Sequence, residues 1–198
     1  FSDTGLNGWI DYRSSNSLAY DGEKLYFIHH DEVGKKEKGS TVDVIKRWGV
    51  ARKCLQQGAG RDIIGWSLLT STTDKMAGGG GRQFFHICKN SNYLDRNANG
   101  QTRSGLVNIF IPSHIGLEGF VDKFGNTVIE TPDEPVVGVN GKPIDIGSLE
   151  HILNTRKSLE EAGEHDALNE EIRQHPIKFA ESFREDSSES GFNTAVLN

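Results

Sequence analysis

Lys24-Leu25-Tyr26-Phe27-Ile28-His29-His30-Asp31-Glu32 is the stretch on which the fold turns. Four apolar residues in a row, Leu25 to Ile28, predict a strand buried on both faces, as in a parallel sheet. A parallel strand needs a crossover before its partner, usually a helix. Val44, Trp48, Ala51 and Leu55 supply one, at spacings of four, three and four that make a single apolar stripe. Ser40 with Asp43 three residues on resembles a capping box, so the helix should begin near Ser40-Thr41, with Gly58 and Gly60 stopping it. The next strand reads Ile63-Ile64-Gly65-Trp66-Ser67-Leu68-Leu69 and ends on Thr70-Ser71-Thr72-Thr73. Strand, helix and strand in about 45 residues form a βαβ unit with a right-handed crossover.

Outward from that unit, Trp9-Ile10-Asp11-Tyr12-Arg13 alternates apolar and polar residues and predicts an earlier strand. A glycine run, Gly78 to Gly81, precedes a short helix over 82–89, and Leu106-Val107-Asn108-Ile109-Phe110-Ile111 predicts a further strand ending at Pro112. Residues 118–147 are rich in Gly, Pro and Asp, with Gly125-Asn126 and Asn140-Gly141 as turn signals, and read as a surface excursion. Residues 148–184 read as a helical region: two helices separated by Gly163, the first striped by Leu149, Ile152, Leu153 and Leu159, the second ended by His175-Pro176. The acidic, Ser-rich tail over 185–198 reads as mobile. The fold class is thus α/β, a mainly parallel sheet over 1–117 followed by helices.

Composition narrows the function classes. Hydrophobic residues make up 35% and charged residues 25%, which suits a globular protein with a real core. No apolar run reaches the roughly 18 residues of a membrane span, and the partner set is expected to include no membrane. Cys54 and Cys88 are too few for a disulfide scaffold and lack metal-ligand spacing, which suggests a reducing cytoplasm. A net charge of -6 argues against gripping nucleic acid by global charge. A local contact through Lys35, Lys36 and Lys38 stays open, beside the reading of that run as a solvated loop. Phe1-Ser2-Asp3 carries no initiator Met and no leader pattern, and reads as the middle of a longer polypeptide.

Two strand ends carry the chemistry. A buried strand ending in Asp31-Glu32 suits nucleotide hydrolysis, because a hard cation needs an anionic oxygen and the attacking water needs a base beside it. The bland reading is an acidic pair that simply ends a strand. Thr70, Ser71 and Thr72 close the neighbouring strand with hydroxyls that could reach phosphates or a catalytic carboxylate; they could also cap the next segment.

The order of these pieces resembles the large terminase subunit of tailed phages, the DNA-packaging ATPase. The match runs from the 25–32 strand, through Ile63 to Thr72, to the glycines at 78–81 with Phe84-Phe85, and to Pro176-Ile177-Lys178-Phe179-Ala180-Glu181-Ser182-Phe183. It spans about residues 9 to 183, and its motifs are short. The resemblance implies a P-loop NTPase-like sheet, incomplete here, with 1–117 as the C-terminal part of the ATPase domain and 148–184 as a linker toward a nuclease domain that is not present. It implies Asp31 as the Mg2+ ligand, Glu32 as the catalytic carboxylate and Thr70, Ser71 and Thr72 as the coupling motif, with ATP and Mg2+ as cofactors. The implied partners are double-stranded DNA, a portal protein, a small terminase subunit and further copies in a ring motor, in the host cytoplasm.

Three departures accompany the resemblance. His29 and His30 interrupt the hydrophobic block before Asp31, and the nuclease is missing. No GxxxxGK[ST] occurs either: Gly34 to Thr41 imitates its spacing but lacks the lysine before Ser40 and follows the Walker B strand. The missing phosphate-binding half is expected upstream, leaving the chain alone inactive and an apolar sheet edge exposed. Two rivals remain: a non-catalytic α/β interaction module, and a metal-dependent hydrolase using His29 and Asp31, with further ligands among His86, His114 or His151.

Overall fold

The computed structural model describes residues 8–13, 18–35, 43–60, 62–72, 76 and 80–185. The βαβ unit is there. Strand β1 (Phe27–His30) pairs in parallel with β4 (Trp66–Leu69), in the register Phe27 to Trp66 and His30 to Leu69. Between them come helix α1 (Val44–Cys54) and a small antiparallel hairpin of β2 (Gln56–Gln57) and β3 (Asp62–Ile63).

Helix α1 begins later than its sequence pattern suggested. Asp43 is the N-cap, its carboxylate accepting the Lys46 N–H at 2.9 Å, and Ser40-Thr41 lie outside the described residues. The helix ends at Cys54, with Leu55 as C-cap; Gly58–Gly60 form the 3₁₀ turn of the hairpin instead, with Ala59 left-handed at φ 57°. The apolar stripe holds: Val44, Trp48, Ala51 and Leu55 are all buried. They form one core with Ile28 and Val33 from the β1 side and Ile87 from α2 (Gly80–Lys89). Trp48 anchors it, its indole N–H donating to the Ser104 carbonyl at 2.9 Å and its ring standing edge-on to His30 at 6.5 Å.

Three expectations fail, for related reasons. The strand is 27–30, not 24–28, and only one face is buried: Ile28 and His30 point inward, Phe27 and His29 outward. Helices cover one side of the pair, so the burial alternates as it does in any half-covered strand. Residues 8–13 are exposed throughout and pair with no strand among the described residues. Residues 106–111 keep strand-like alternating burial, yet join no ladder. The fold is therefore mixed α/β, and the mainly parallel sheet shrinks to a single two-stranded parallel pair among the described residues. No described helix is long and apolar enough to cross a membrane.

Short β pairings punctuate the second half. Within 118–147, Val121 bridges Thr127 and Asp122 bridges Gly138, while β5 (Val136–Val137) pairs with β6 (Pro143–Ile144). The Asp122 carboxylate organises the turn by accepting N–H bonds from Phe124 and Asn126, each 2.8 Å. Helices α3 (Ser148–Glu161) and α4 (His165–Gln174) follow, broken at Gly163, whose φ of +73° few other residues tolerate. Ile152 is the buried anchor of α3, whereas Leu153 is exposed, so the stripe is narrower than its spacing implied. Phe179–Phe183, a 3₁₀ turn, folds back onto α2, with Phe183 and Phe85 ring centroids 4.7 Å apart. It is tied to α3 by Arg156, which donates to Glu181 at 3.0 and 3.3 Å and to the His175 carbonyl at 2.7 Å. Glu181 also accepts the Ile177 N–H at 2.7 Å. Burial opposes the Glu181 charge, but Arg156 and these N–H bonds hold its carboxyl below the usual range.

Two glycines test this packing in opposite directions. A Cβ on Gly65, where the chain enters β4, would lie 2.5 Å from the Leu25 carbonyl oxygen and 2.8 Å from Leu55 Cδ2. Gly65→Ala should therefore cost about 1–3 kcal/mol. Gly49 lies inside α1 with nothing within 4 Å of its virtual Cβ, so Gly49→Ala should stabilise by about 0.5–1 kcal/mol. Urea unfolding of both variants checks the pair, and equal effects would mean that the β4 entry is not tightly packed.

Candidate functional site

Parallel pairing places the C-terminal ends of β1 and β4 side by side. Asp31 is the first residue beyond β1 and Thr70 the first beyond β4. The ladder carries past both ends: Thr70 N–H donates to the His30 carbonyl at 2.9 Å, and Val33 N–H to the Thr70 carbonyl at 3.1 Å. That register aims the Thr70 side chain at Asp31. Its hydroxyl donates to Asp31 Oδ1 at 2.8 Å, and Asp31 Oδ1 also accepts the Glu32 N–H at 3.0 Å. The Thr70 hydroxyl, then the Glu32 N–H, hold the Asp31 carboxyl below its usual range against a small opposing effect of burial, so it is ionised at neutral pH.

His29 completes the cluster. Its Nε2 lies 2.9 Å from Thr70 Oγ1. A hydroxyl has one proton, and Thr70 gives it to Asp31; His29 Nε2 must then be the donor. Period-2 geometry foreshadows this group, since His29 and Asp31 share a face. The link through Thr70 crosses 39 residues and depends on register. His29 and Asp31 stay exposed to solvent, while His30 turns inward to the core.

The other expected residues divide. Glu32 sits at φ 50°, a left-handed conformation uncommon for a residue with a side chain, and its carboxylate pairs with Lys35 Nζ at 3.1 Å. The Asp-Glu pair is thus split between Thr70 and Lys35. The same ion pair occupies Lys35, one candidate for DNA contact; Lys36 and Lys38 lie outside the described residues. Ser71 Oγ accepts the Gly34 N–H at 2.9 Å and donates to the Thr72 carbonyl, which joins the loops after the two strands. Thr72 takes part through that carbonyl. Gly34 has no room for a side chain, because a Cβ there would meet Phe84 Cδ1 at 2.9 Å and Ser71 Oγ at 3.0 Å.

Among the described residues no three His, Cys, Asp or Glu side chains converge to hold a metal. A zinc-type site takes three or four protein ligands, so the hydrolase built on His29 and Asp31 finds no further ligand in His86, His114 or His151. Magnesium is less demanding: one or two carboxylates suffice, with water and phosphate oxygens as the rest. Asp31, ionised and accessible at a strand end, fits that role. The thiols are inert by comparison, Cys88 being pushed up to about 12 by burial. Comparison with protein-family models, with curated proteins and with solved structures finds no match to this chain.

Beneath the site, burial pushes the His30 imidazole down to about 4, with Arg47 and His29 adding to the shift. The folded protein thus holds His30 neutral, whereas the unfolded chain protonates it below about 6.5. This stabilisation is complete above about pH 6.5 and is lost as pH falls toward 4, by up to roughly 3 kcal/mol. Denaturation midpoints measured from pH 7 to 4.5 should fall accordingly, and His30→Leu should flatten that part of the curve. An unchanged slope in the variant would place the titration elsewhere.

Proposed function

We propose that the chain is the Walker B half of the ATPase motor of a large terminase subunit, which pushes double-stranded DNA through a portal into a procapsid. One observation carries the reading: residues 39 apart, Asp31 and Thr70, meet in a 2.8 Å hydrogen bond at the ends of two adjacent parallel strands. Crevices at the carboxyl ends of parallel strands are where α/β proteins bind ligands. In this reading Asp31 holds Mg2+ and Thr70 fixes the rotamer of its carboxylate. Magnesium, bound with ATP, supplies charge neutralisation at the phosphates. Glu32 is the general base and must leave Lys35 to act. Ser71, bonded to Gly34 at 2.9 Å, couples the loop after β1 to the loop after β4, so that a change at one strand end is felt at the other.

The phosphate cradle would come from a Walker A segment upstream of this chain, and the chain alone should not turn over ATP. Mg-ATP binding and hydrolysis are to be compared on this chain and on the same protein extended upstream by about 100–150 residues. Only the extended form should be active, and Asp31→Ala should abolish its activity. An extended form that neither binds nor hydrolyses ATP would end the terminase reading. Within the active form, Glu32→Gln should cut turnover by roughly 10²–10⁴-fold with nucleotide binding retained. Ser71→Ala, which removes the hydroxyl that joins Gly34 to Thr72, should lower DNA translocation more than hydrolysis; equal loss of both would leave Ser71 a structural residue. A second reading, an interaction module without catalysis, draws support from the uncovered apolar face bearing Phe27, Trp66 and Leu68.

A further inference from the structure

The net charge of -6 is not spread evenly along the chain. Residues 44–105 hold ten Lys and Arg against three Asp and no Glu, a basic island in an acidic protein. Helix α1 is its most one-sided part: its 11 residues include Lys46, Arg47, Arg52 and Lys53 and no carboxylate. Solvated helix faces ordinarily mix signs, because opposite charges four residues apart stabilise the helix. Among the described residues neither Lys46 nor Lys53 has an ionic partner.

The helical period puts Lys46, Gly49 and Lys53 on one outward face, with Ile45 at its edge and all four exposed. Val44, Trp48 and Ala51 take the opposite face, in the core. Beside the C-terminal end of α1 lies the loop over 101–105. Arg52 donates to the Gln101 side chain at 3.2 Å and to the Arg103 carbonyl at 3.4 Å. The Trp48 bond to the Ser104 carbonyl, at 2.9 Å, fixes that loop against the helix. Arg103 therefore stands next to the basic face; its side chain is 70% exposed, and its 3.4 Å ion pair with Asp95 is itself in solvent.

Stability alone does not explain this face. Lys46 and Arg47 lie in the first turn of α1, where the positive end of the helix dipole disfavours cations. Gly49 sits at the exposed centre of the helix, where alanine would be more stable and nothing lies within 4 Å of the Cβ it lacks. Both departures suit a polyanion. Phosphates neutralise the cations, and a residue without a side chain lets a ligand come close to the helix backbone. The N–H groups of the first turn are already taken, Val44 by Gln83 and Lys46 by Asp43, so the face and not the helix end is the binding surface. Lys46 and Lys53 stand two turns apart, about 10 Å along the axis, too far for one phosphate but suited to a row of them.

We infer that the outer face of α1, with Arg103 beside it, binds the phosphate backbone of a nucleic-acid duplex laid across Gly49. A membrane is a poor fit, since the apolar stripe of α1 lies inside the core. A protein partner finds few anchors, because Ile45, 40% exposed, is the one large apolar side chain of α1 open to solvent. A single strand stacks its bases on aromatic platforms, and this face has none. A duplex asks only for cations and close approach. The inference goes beyond the ATPase reading: it places the nucleic acid on α1, away from Lys35, and requires no nucleotide.

The probe is a fluorescent DNA duplex of about 20 base pairs, titrated with the chain at about 50 and about 200 mM salt without ATP or magnesium and followed by anisotropy. Lys46→Gln combined with Lys53→Gln should weaken binding at least about tenfold at the lower salt and reduce the salt slope by about 2. Gly49→Ala should bind about threefold or more weakly yet unfold at higher urea, opposed effects that damage to the fold cannot imitate. Lys123→Gln combined with Lys142→Gln removes the same charge from the 118–147 region and should change neither affinity nor slope. Absence of binding at the lower salt would overturn the inference outright. Equal loss in the two double variants would overturn it in favour of general attraction between charges. Single-stranded DNA bound as tightly as the duplex, or loss of binding through Lys35→Gln with the α1 variants unaffected, would overturn it in favour of another surface. Duplex binding that depends on α1, in a protein whose extended form hydrolyses no ATP, would sustain the inference and end the ATPase reading.

Discussion

The parallel ladder between β1 and β4 is the constraint from which the rest follows. Its bonds from Trp66 to Tyr26 and from Thr70 to His30 set the register. Register then decides which side chains share a face and which ends lie together. A slip of β1 by one residue would bring Ile28 and His30 out of the core and send Phe27 and His29 into it. Helix α1 prevents that slip. Its stripe of Val44, Trp48, Ala51 and Leu55 packs on Ile28, with the His30 ring edge-on to Trp48. The Trp48 indole is pinned to Ser104, so the chain after α2 is locked to the same core.

That arrangement sorts the two histidines by environment. His30 is neutral, edge-on to Trp48 and close to the partly buried Arg47. His29, one residue earlier, lies in solvent and donates to Thr70. Two identical side chains thus have opposite tasks, one as packing and one as the end of a hydrogen-bonded row that finishes on an ionised Asp31. The left-handed backbone at Glu32 separates it from that row and gives its carboxylate to Lys35. Strain of this kind, at a residue next to a candidate metal ligand, is the sort that a functional site retains.

Coverage of the sheet is lopsided. Helices α1 and α2 and the 3₁₀ turn at Phe179–Phe183 protect one face and are braced from behind by Arg156 and Glu181. The opposite face carries Phe27, Trp66 and Leu68 in the open. Parallel sheets are normally covered on both sides. The half-covered pair and the unladdered stretch at 106–111 are two results of one shortage: among the described residues there are too few strands and helices to close the layer.

From the sequence alone one could read the βαβ unit, the α1 stripe, the break at Gly163 and the two strand ends bearing Asp31 and Thr70. These depend on local periodicity and turn chemistry, which a chain states in its own residues. Strand status at 9–13 and 106–111 was misread for the same reason, because alternation proclaims a strand whether or not an edge exists to receive it. Asp43 in place of Ser40 as the start of α1 was a matter of one turn, and capping patterns are degenerate at that scale. Only the tertiary structure decided that Thr70 joins His29 to Asp31 and that Glu32 turns to Lys35. Each of these depends on which strand neighbours which and in what register. Such long-range pairing is selected by the packing of the whole core and leaves no mark on any single stretch of residues.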